Sequence, residues 1–266
     1  MRSASWCWRC RSWWRRGEGQ ANLVAEKARQ AIGLIGGLGP GATIHYYERL
    51  TREFVARGVT PRFLISHADL KFVLERVGAG ALDELADYFT GHVESLARAG
   101  ADFVAIGAVA PHICSPQLRA RVSLPLVDLI DCTRSELSRR GARRIAILGT
   151  QFVMRSDMYG RLDGFAVIRL AAGAVDLIHE SYMKIVAAGA VEGSGADVEG
   201  IRAVAQSCVR DQGVEAVLLA GTELSLAFQE TDCGFPALDC ARAHLDAIIS
   251  RAMGDIATRH SDKLRR

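Results

Sequence analysis

Two acid–base side chains stand just past the ends of apolar runs in this 266-residue chain. They are His112, closing ADFVAIGAVAPH (101–112), and Glu223, within EAVLLAGTEL (215–224). An imidazole titrates near neutrality and can take or give a proton. A carboxylate becomes a comparable base when burial raises its pKa. Each run reads as a buried strand that breaks at a small residue and opens into a helix, which is where open α/β sheets place ligands and catalytic groups. The small residues at the breaks, Ala108 and Gly221, carry no chemistry. Thr222 and Thr150 offer hydroxyls to a ligand carboxylate at two such ends.

A third strand end, GGLGPGAT (36–43), is a glycine-rich turn entering a helix. Gly37 and Gly39 would let the backbone approach a ligand, Thr43 adds a hydroxyl, and the helix N-terminus presents unpaired N–H groups to an anion. The spacing is not GxGxxG with an acidic residue about 20 positions on, so a dinucleotide site is not supported. No lysine follows the loop, so neither is a phosphate-binding P-loop. What is left is a small-anion site or a tight, well-capped turn. His45, Tyr46 and His67 lie near enough in sequence to face the same cleft, although Tyr46 and Tyr47 are equally core candidates. Cys114 reads as a buried thiol. No His, Asp or Glu cluster has metal-ligand spacing, and Cys7 and Cys10 form a lone CxxC, so no metal is expected.

These groups have to be positioned by an α/β scaffold. From residue 31 short β-rich runs alternate with longer helical ones. Strands are read at 31–37, 62–67, 101–107, 124–128, 143–150, 165–170, 215–221 and 235–239. Helices are read at 41–55, 81–100, 115–121, 129–140, 175–188, 196–211 and 240–253. Strands that are apolar throughout belong in parallel sheets covered on both faces. LPLVD before one helix and FPALD before another look like matching elements. The expected fold is two similar, tightly packed α/β lobes, each a mainly parallel sheet flanked by helices, with the ligand cleft between them.

The net charge of +3 is unevenly spread. Residues 1–20 carry +4 and all four tryptophans, which leaves −1 on the rest, so no nucleic-acid surface is indicated. Arginines interrupt the leader too often for a secretory signal. Residues 1–30 are read as a disordered extension or translated upstream sequence, 31–255 as the folded unit and 256–266 as a polar tail. No run reaches the ~18 apolar residues of a membrane span. The scattered cysteines fit reduced thiols, and a cytoplasmic protein is expected.

IGLIGGLGPGATIHYYERL, IAILGTQFVMRSDMYGRL and AVLLAGTELSL, in this order and spacing, resemble the aspartate/glutamate racemase family from about Ala31 to Met253. The resemblance implies two pseudo-symmetric α/β lobes, a small amino or carboxylic acid between them and isomerase chemistry at the α-carbon. It also implies no cofactor, pyridoxal included, and, by analogy, a homodimer. In that family the first lobe carries Cys-Asn-Thr-Ala-His and the second Cys-Thr-Glu, and the two thiols work on opposite faces of the α-carbon. Here the first reads Ala108-Val109-Ala110-Pro111-His112 and the second Gly221-Thr222-Glu223, so both thiols are replaced. The family's Ile-Pro-Asp-Arg-like segment is also absent from SHADLKFVLERV (66–77), where Lys71 or Arg76 is left to hold a side-chain carboxylate. His112 and Glu223 match the family's His and Glu and are the candidate bases. The expectation is an isomerase-class member whose two-thiol mechanism is lost. The alternatives are a lyase-type catalyst on a small carboxylic acid or a non-catalytic binding protein that keeps the cleft.

Overall fold

A computed structural model of the chain describes residues 26–156, 158, 161–187, 195–228 and 230–254. The expected leader up to residue 25 and the tail from 256 lie outside the described residues. Residues 26–30 belong to the fold: β1 (Glu26–Lys27) pairs with β3 (Val59–Thr60), and the Gln30 amide donates to the Ala252 carbonyl at 3.2 Å.

The first lobe runs β2 (Ile32–Gly36), α1 (Pro40–Ala56), β3 (Val59–Thr60), β4 (Phe63–His67), α2 (Leu70–Ala79), α3 (Leu82–Arg98) and β5 (Phe103–Ile106). A 3-10 helix (Ala110–Cys114), α4 (Ser115–Arg121), β6 (Leu126–Val127) and α5 (Leu129–Arg140) complete it. The second runs β7 (Arg144–Gly149), α6 (Gln151–Arg155), β8 (Ala166–Ile168), α7 (Ala172–Ala187) and α8 (Gly195–Gln212). It ends with β9 (Ala216–Ala220), α9 (Leu224–Ala227), β10 (Ala237–Asp239) and α10 (Cys240–Met253).

Both sheets are parallel, in the orders β4-β2-β5-β6 and β8-β7-β9-β10. The order is the same in each, so β2 corresponds to β7, and β5 to β9. In such sheets the crevice lies beyond the C-terminal ends of the two central strands, where the winding reverses. Gly36, Ile106, Gly149 and Ala220 end those four strands. All four strands are buried along nearly their whole length, which explains their uninterrupted apolar sequence.

The two lobes exchange their last helices. Leu129, Ile130 and Leu137 of α5 pack against Ile145 and Ile147 of β7 and Leu218 of β9, in the second lobe. Leu245, Ile248 and Ile249 of α10 pack against Ile32 and Leu34 of β2 and Phe103 of β5, in the first. Each of these helices follows the matching pentapeptide, and each is capped by its aspartate. Asp128 Oδ1 accepts the Ile130 and Asp131 amides, and Asp239 Oδ1 those of Ala241 and Arg242. The expected pseudo-symmetric fold is therefore present, with a joint that neither lobe could form alone.

Among the elements that differ from the sequence reading, three bear on the two lobes. Helix α2 was not anticipated: it is capped by Asp69, whose side chain accepts from Lys71 and Phe72 N–H, and stopped by Gly80 in the left-handed region, but buries only Val73 and Val77. Such a narrow apolar stripe leaves little periodicity to detect. Strand β8 is three residues rather than six, because the sheet pairs only Ala166, Val167 and Ile168 with β7. A short helix, α6, follows Thr150 directly.

Candidate active site

In the first lobe the chain leaves β5 through Gly107 and Ala108 into the 3-10 helix, where His112 is fully buried. Its Nε2 faces the Ile106 carbonyl at 3.3 Å. Its Nδ1 is 3.3 Å from Ser115 Oγ and 3.6 Å from Asp128 Oδ2. Arg161, from the second lobe, donates to the same Asp128 oxygen at 3.1 Å and to Asp131 at 2.8 Å. Burial opposes the charge on Asp128, but His112, Ser115 and Arg161 outweigh it and hold the carboxyl well below the ordinary range. His112 is thus enclosed with both ring nitrogens partnered, at a joint between the lobes.

A second buried histidine stands edge-on to it, with the His112 and His244 ring centroids 5.7 Å apart. His244 Nε2–H donates to the Val127 carbonyl at 2.9 Å, which leaves Nδ1 to accept the Tyr46 hydroxyl at 2.9 Å. Burial, then the nearby His112, pushes the His244 pKa down to about 3, so it is neutral in this chain of bonds. Tyr46 is core, fully buried.

In the second lobe Gly221 follows β9 and Glu223, two residues on, is half-buried. Glu223 Oε2 accepts the hydroxyls of Tyr182, from α7, and of Thr222, the latter at 3.0 Å. Its other oxygen turns towards the first lobe: a methyl group in place of Gly39 would come within 3.0 Å of Oε1. The glycine turn after β2 and the end of β9 therefore meet across the crevice. Tyr182 is buried (6% exposed), and burial followed by Glu223 raises its phenol well above the usual range, so it stays protonated and donates. Its ring lies where a side chain on Gly221 would go.

The other expected ligand groups divide. Gly37 has φ 85°, and a methyl group there would sit 2.6 Å from the Ala68 carbonyl, so the turn needs glycine for both conformation and space. Thr43 accepts the Gly37 amide at 2.9 Å and donates to the Gly39 carbonyl at 3.2 Å, which spends its hydroxyl on the turn itself. Thr150 accepts the Val153 amide at 3.3 Å as the cap of α6. Thr222 faces Glu223. His45 is half-buried and lies in the field of Glu223, with burial and then Arg49 lowering its pKa. His67 is exposed beside Gly37. Cys114 is buried with its thiol pushed up to about 12 by burial.

Neither cation of the 66–77 segment is idle. Lys71 lies 4.0 Å from Glu75, and Arg76 is 3.1 Å from Glu84 and stacks on Phe72. A cavity of about 620 Å³ lies within the second lobe, lined by Ile147, Val153, Arg155, Ile168 and Leu170 among others, apart from Gly221 and Glu223. Among the described residues no group of three or more His, Cys, Asp or Glu side chains is arranged to hold a metal ion. No described helix is long and apolar enough to cross a membrane.

The family model for Asp/Glu/Hydantoin racemases matches residues 35–248, most of the chain and both lobes. The chain belongs to this family. Solved structures of racemase-family members have the same fold. An Asp/Glu racemase candidate from Yersinia pestis superposes with a TM-score of 0.75 at 24% identity, over 85% of this chain and 100% of that one. An aspartate racemase homologue from Pyrococcus horikoshii OT3 gives 0.73 at 25% identity, over 85% and 100%. The Picrophilus torridus aspartate racemase gives 0.65 at 20%, over 84% and 94%.

Sequence reasoning about this racemase-family chain missed Tyr182, Arg161 and His244. Tyr182 and Glu223 are 41 residues apart, and nothing local links them. The available signal was Gly221 itself. Its backbone lies outside the left-handed region, so glycine is there for space, and a large neighbour had to be filling it.

Proposed function

We propose that this protein is an enzyme of the isomerase-class Asp/Glu/Hydantoin racemase family that keeps α-proton exchange and has lost the two-thiol isomerisation. In this reading it binds a small amino or carboxylic acid in the crevice between its lobes and acts on the α-proton without a pair of thiols. The observation that carries the reading is the approach of Glu223 to Gly39. It sets an acid–base side chain from the second lobe against the anion-suited turn of the first. A carboxylate ligand would be received by backbone N–H groups at the start of α1, and its α-carbon would lie towards Glu223 and Thr222. Family membership supports the substrate class.

His112 is proposed as a positioning residue. Its burial against Ile106, Ser115 and Asp128 suits it to bracing the strand end that carries Ala108, where an open-sheet enzyme presents a ligand. Ala108 and Gly221 correspond to the family's thiol positions by motif, and their replacement argues against two-thiol racemisation of aspartate or glutamate.

A second reading, a binding protein without catalysis, is favoured by the inert Ala108 end and by the enclosure of His112. Incubation with candidate acids in D₂O separates the two. An enzyme of this kind introduces α-deuterium, and a binding protein does not. Ordinary rates of aspartate or glutamate racemisation would overturn the loss of the thiol mechanism.

A further inference from the structure

We propose that the Tyr182 phenol and the Glu223 carboxylate form a proton-transfer pair on the β9 side of the crevice, with no counterpart on the β5 side, so that the protein exchanges an α-proton on one face only. The proposal rests on the reading that the crevice takes a small amino or carboxylic acid, and it names the group that does the chemistry there.

Position is the first argument. Gly221 is the residue immediately after a central strand, at the point where parallel sheets present chemistry. A methyl group built on it would overlap the Tyr182 ring and come within 2.8 Å of the phenol oxygen. The hydroxyl therefore stands where a side chain of residue 221 would begin, although it arrives from α7. The second argument is connection. The same hydroxyl donates to Glu223, which is half-buried and whose other oxygen reaches Gly39 of the opposite lobe. The pair has a buried end at the strand and a carboxylate end with access to solvent. The third argument is asymmetry. At the matching position of the first lobe Ala108 has no functional group, Val109 is packed into an apolar cluster, and His112 is turned to Asp128 and the Ile106 carbonyl.

The step balances within these groups. The substrate Cα–H bond breaks and its proton passes to the phenol oxygen as the phenol's own proton passes to Glu223. The electron pair of the broken bond is delocalised into the substrate carboxylate. While the carbanion persists, Glu223 exchanges its proton with solvent, and the hydrogen held by the phenol, the one taken from the substrate, is replaced by a solvent hydrogen through its hydrogen bond to Glu223. The reverse transfer returns a solvent-derived hydrogen to the same face, with configuration retained. No oxidant, metal or cofactor enters the balance.

The test uses the full chain in D₂O with the L- and D-forms of aspartate, glutamate, alanine and lactate. Binding is followed by saturation-transfer NMR, exchange by loss of the α-proton signal, and configuration by chiral chromatography. Two variants accompany it. Tyr182→Phe keeps the ring that fills the space beside Gly221 and removes only the hydroxyl. Glu223→Gln keeps the shape and removes the proton acceptor. The expected result is deuterium uptake into one enantiomer with retention, reduced about 10²–10⁴-fold in both variants while their melting temperatures stay near the parent's. Uptake with inversion overturns the one-faced assignment. Uptake undiminished in Tyr182→Phe overturns the role of the phenol. Binding without uptake overturns this proposal and leaves the ligand class standing, whereas no binding by any of these acids overturns the ligand class and the proposal with it.

Discussion

Tyr182 occupies the space that any side chain at Gly221 would need: its phenol oxygen lies 2.8 Å from where a β-carbon on Gly221 would be. The same phenol oxygen is held by its hydrogen bond to Glu223. The ring is buried among Ile178, Ile185 and Leu219 in the core beneath α7. A large residue and a missing one thus form a single packing unit, and neither can change alone without disturbing the other.

Gly221→Cys should therefore be costly, and the cost should depend on Tyr182. Interiors pack at crystal-like density, and added atoms without room force shifts worth roughly 1–3 kcal/mol. Tyr182→Leu removes the obstruction at the cost of a cavity and of the hydroxyl partner of Glu223. Urea unfolding of the parent, both single variants and the double variant gives the coupling. We expect the double variant to be more stable than the sum of the singles by about 0.5–3 kcal/mol. Strict additivity would mean that the ring moves aside freely.

Gly37→Ala should disturb the turn that faces Glu223. The residue has φ 85°, which an alanine adopts at a cost, and its β-carbon would lie 2.6 Å from the Ala68 carbonyl. Strain and overlap together should lower stability by about 2 kcal/mol or more in thermal unfolding. Ligand affinity should fall with it, because Thr43 holds the turn through the Gly37 amide. A variant of parental stability would show the loop to be adaptable.

The fold was more legible than the site, for a physical reason. Strands such as IGLIG and AVLLA are buried end to end, so burial itself wrote their signature. The LPLVD and FPALD repeat exposed the pseudo-symmetry because an aspartate cap and a following helix recur in both lobes. His112 and Glu223 were legible as residue types at strand ends, but their surroundings were not. Whether a histidine faces a cleft or a buried aspartate depends on Arg161 and His244, contributed from distant parts of the chain. Thr43 and Thr150 drew notice as hydroxyls near a crevice, and their hydrogen bonds go to the backbone of their own turns. The exchange of α5 and α10 between lobes left no local signal, since an amphipathic helix does not record which sheet it covers.

Asp128→Asn tests the joint made by His112, Asp128 and Arg161. The amide oxygen can still cap α5, so the change isolates the charge. Replacing a buried charge beside the Arg161 guanidinium should destabilise by a few kcal/mol at neutral pH. The native carboxyl pKa is depressed, so its contribution is full above the unfolded value, about 3.9, and is lost as pH falls below it. Urea unfolding from pH 7 to pH 3 should show the gap between the two proteins narrowing at the acid end. A gap that is constant with pH would assign the effect to packing.

Asp239 caps α10 in the same way yet behaves oppositely. Its surroundings offer Ser225 and backbone amides, with Glu230 in place of cations, and burial raises its pKa to about 6. The folded protein therefore binds a proton that the unfolded chain releases between about pH 4 and pH 6. Stability contributed by protonated Asp239 is full below the unfolded value and declines as pH rises through 6. His244 acts in the other direction, because its lowered pKa makes the folded state lose ground as pH falls from 6.5 towards 3. The two slopes partly cancel in the parent. Asp239→Asn keeps the cap and removes one of them, while His244 is common to both proteins and drops out of the comparison. The variant should gain on the parent by on the order of 1–3 kcal/mol between pH 4 and pH 7. Urea unfolding at half-unit pH steps measures this. If the difference between the two proteins did not change across that window, Asp239 would be titrating at its ordinary value and the contrast with Asp128 would fail.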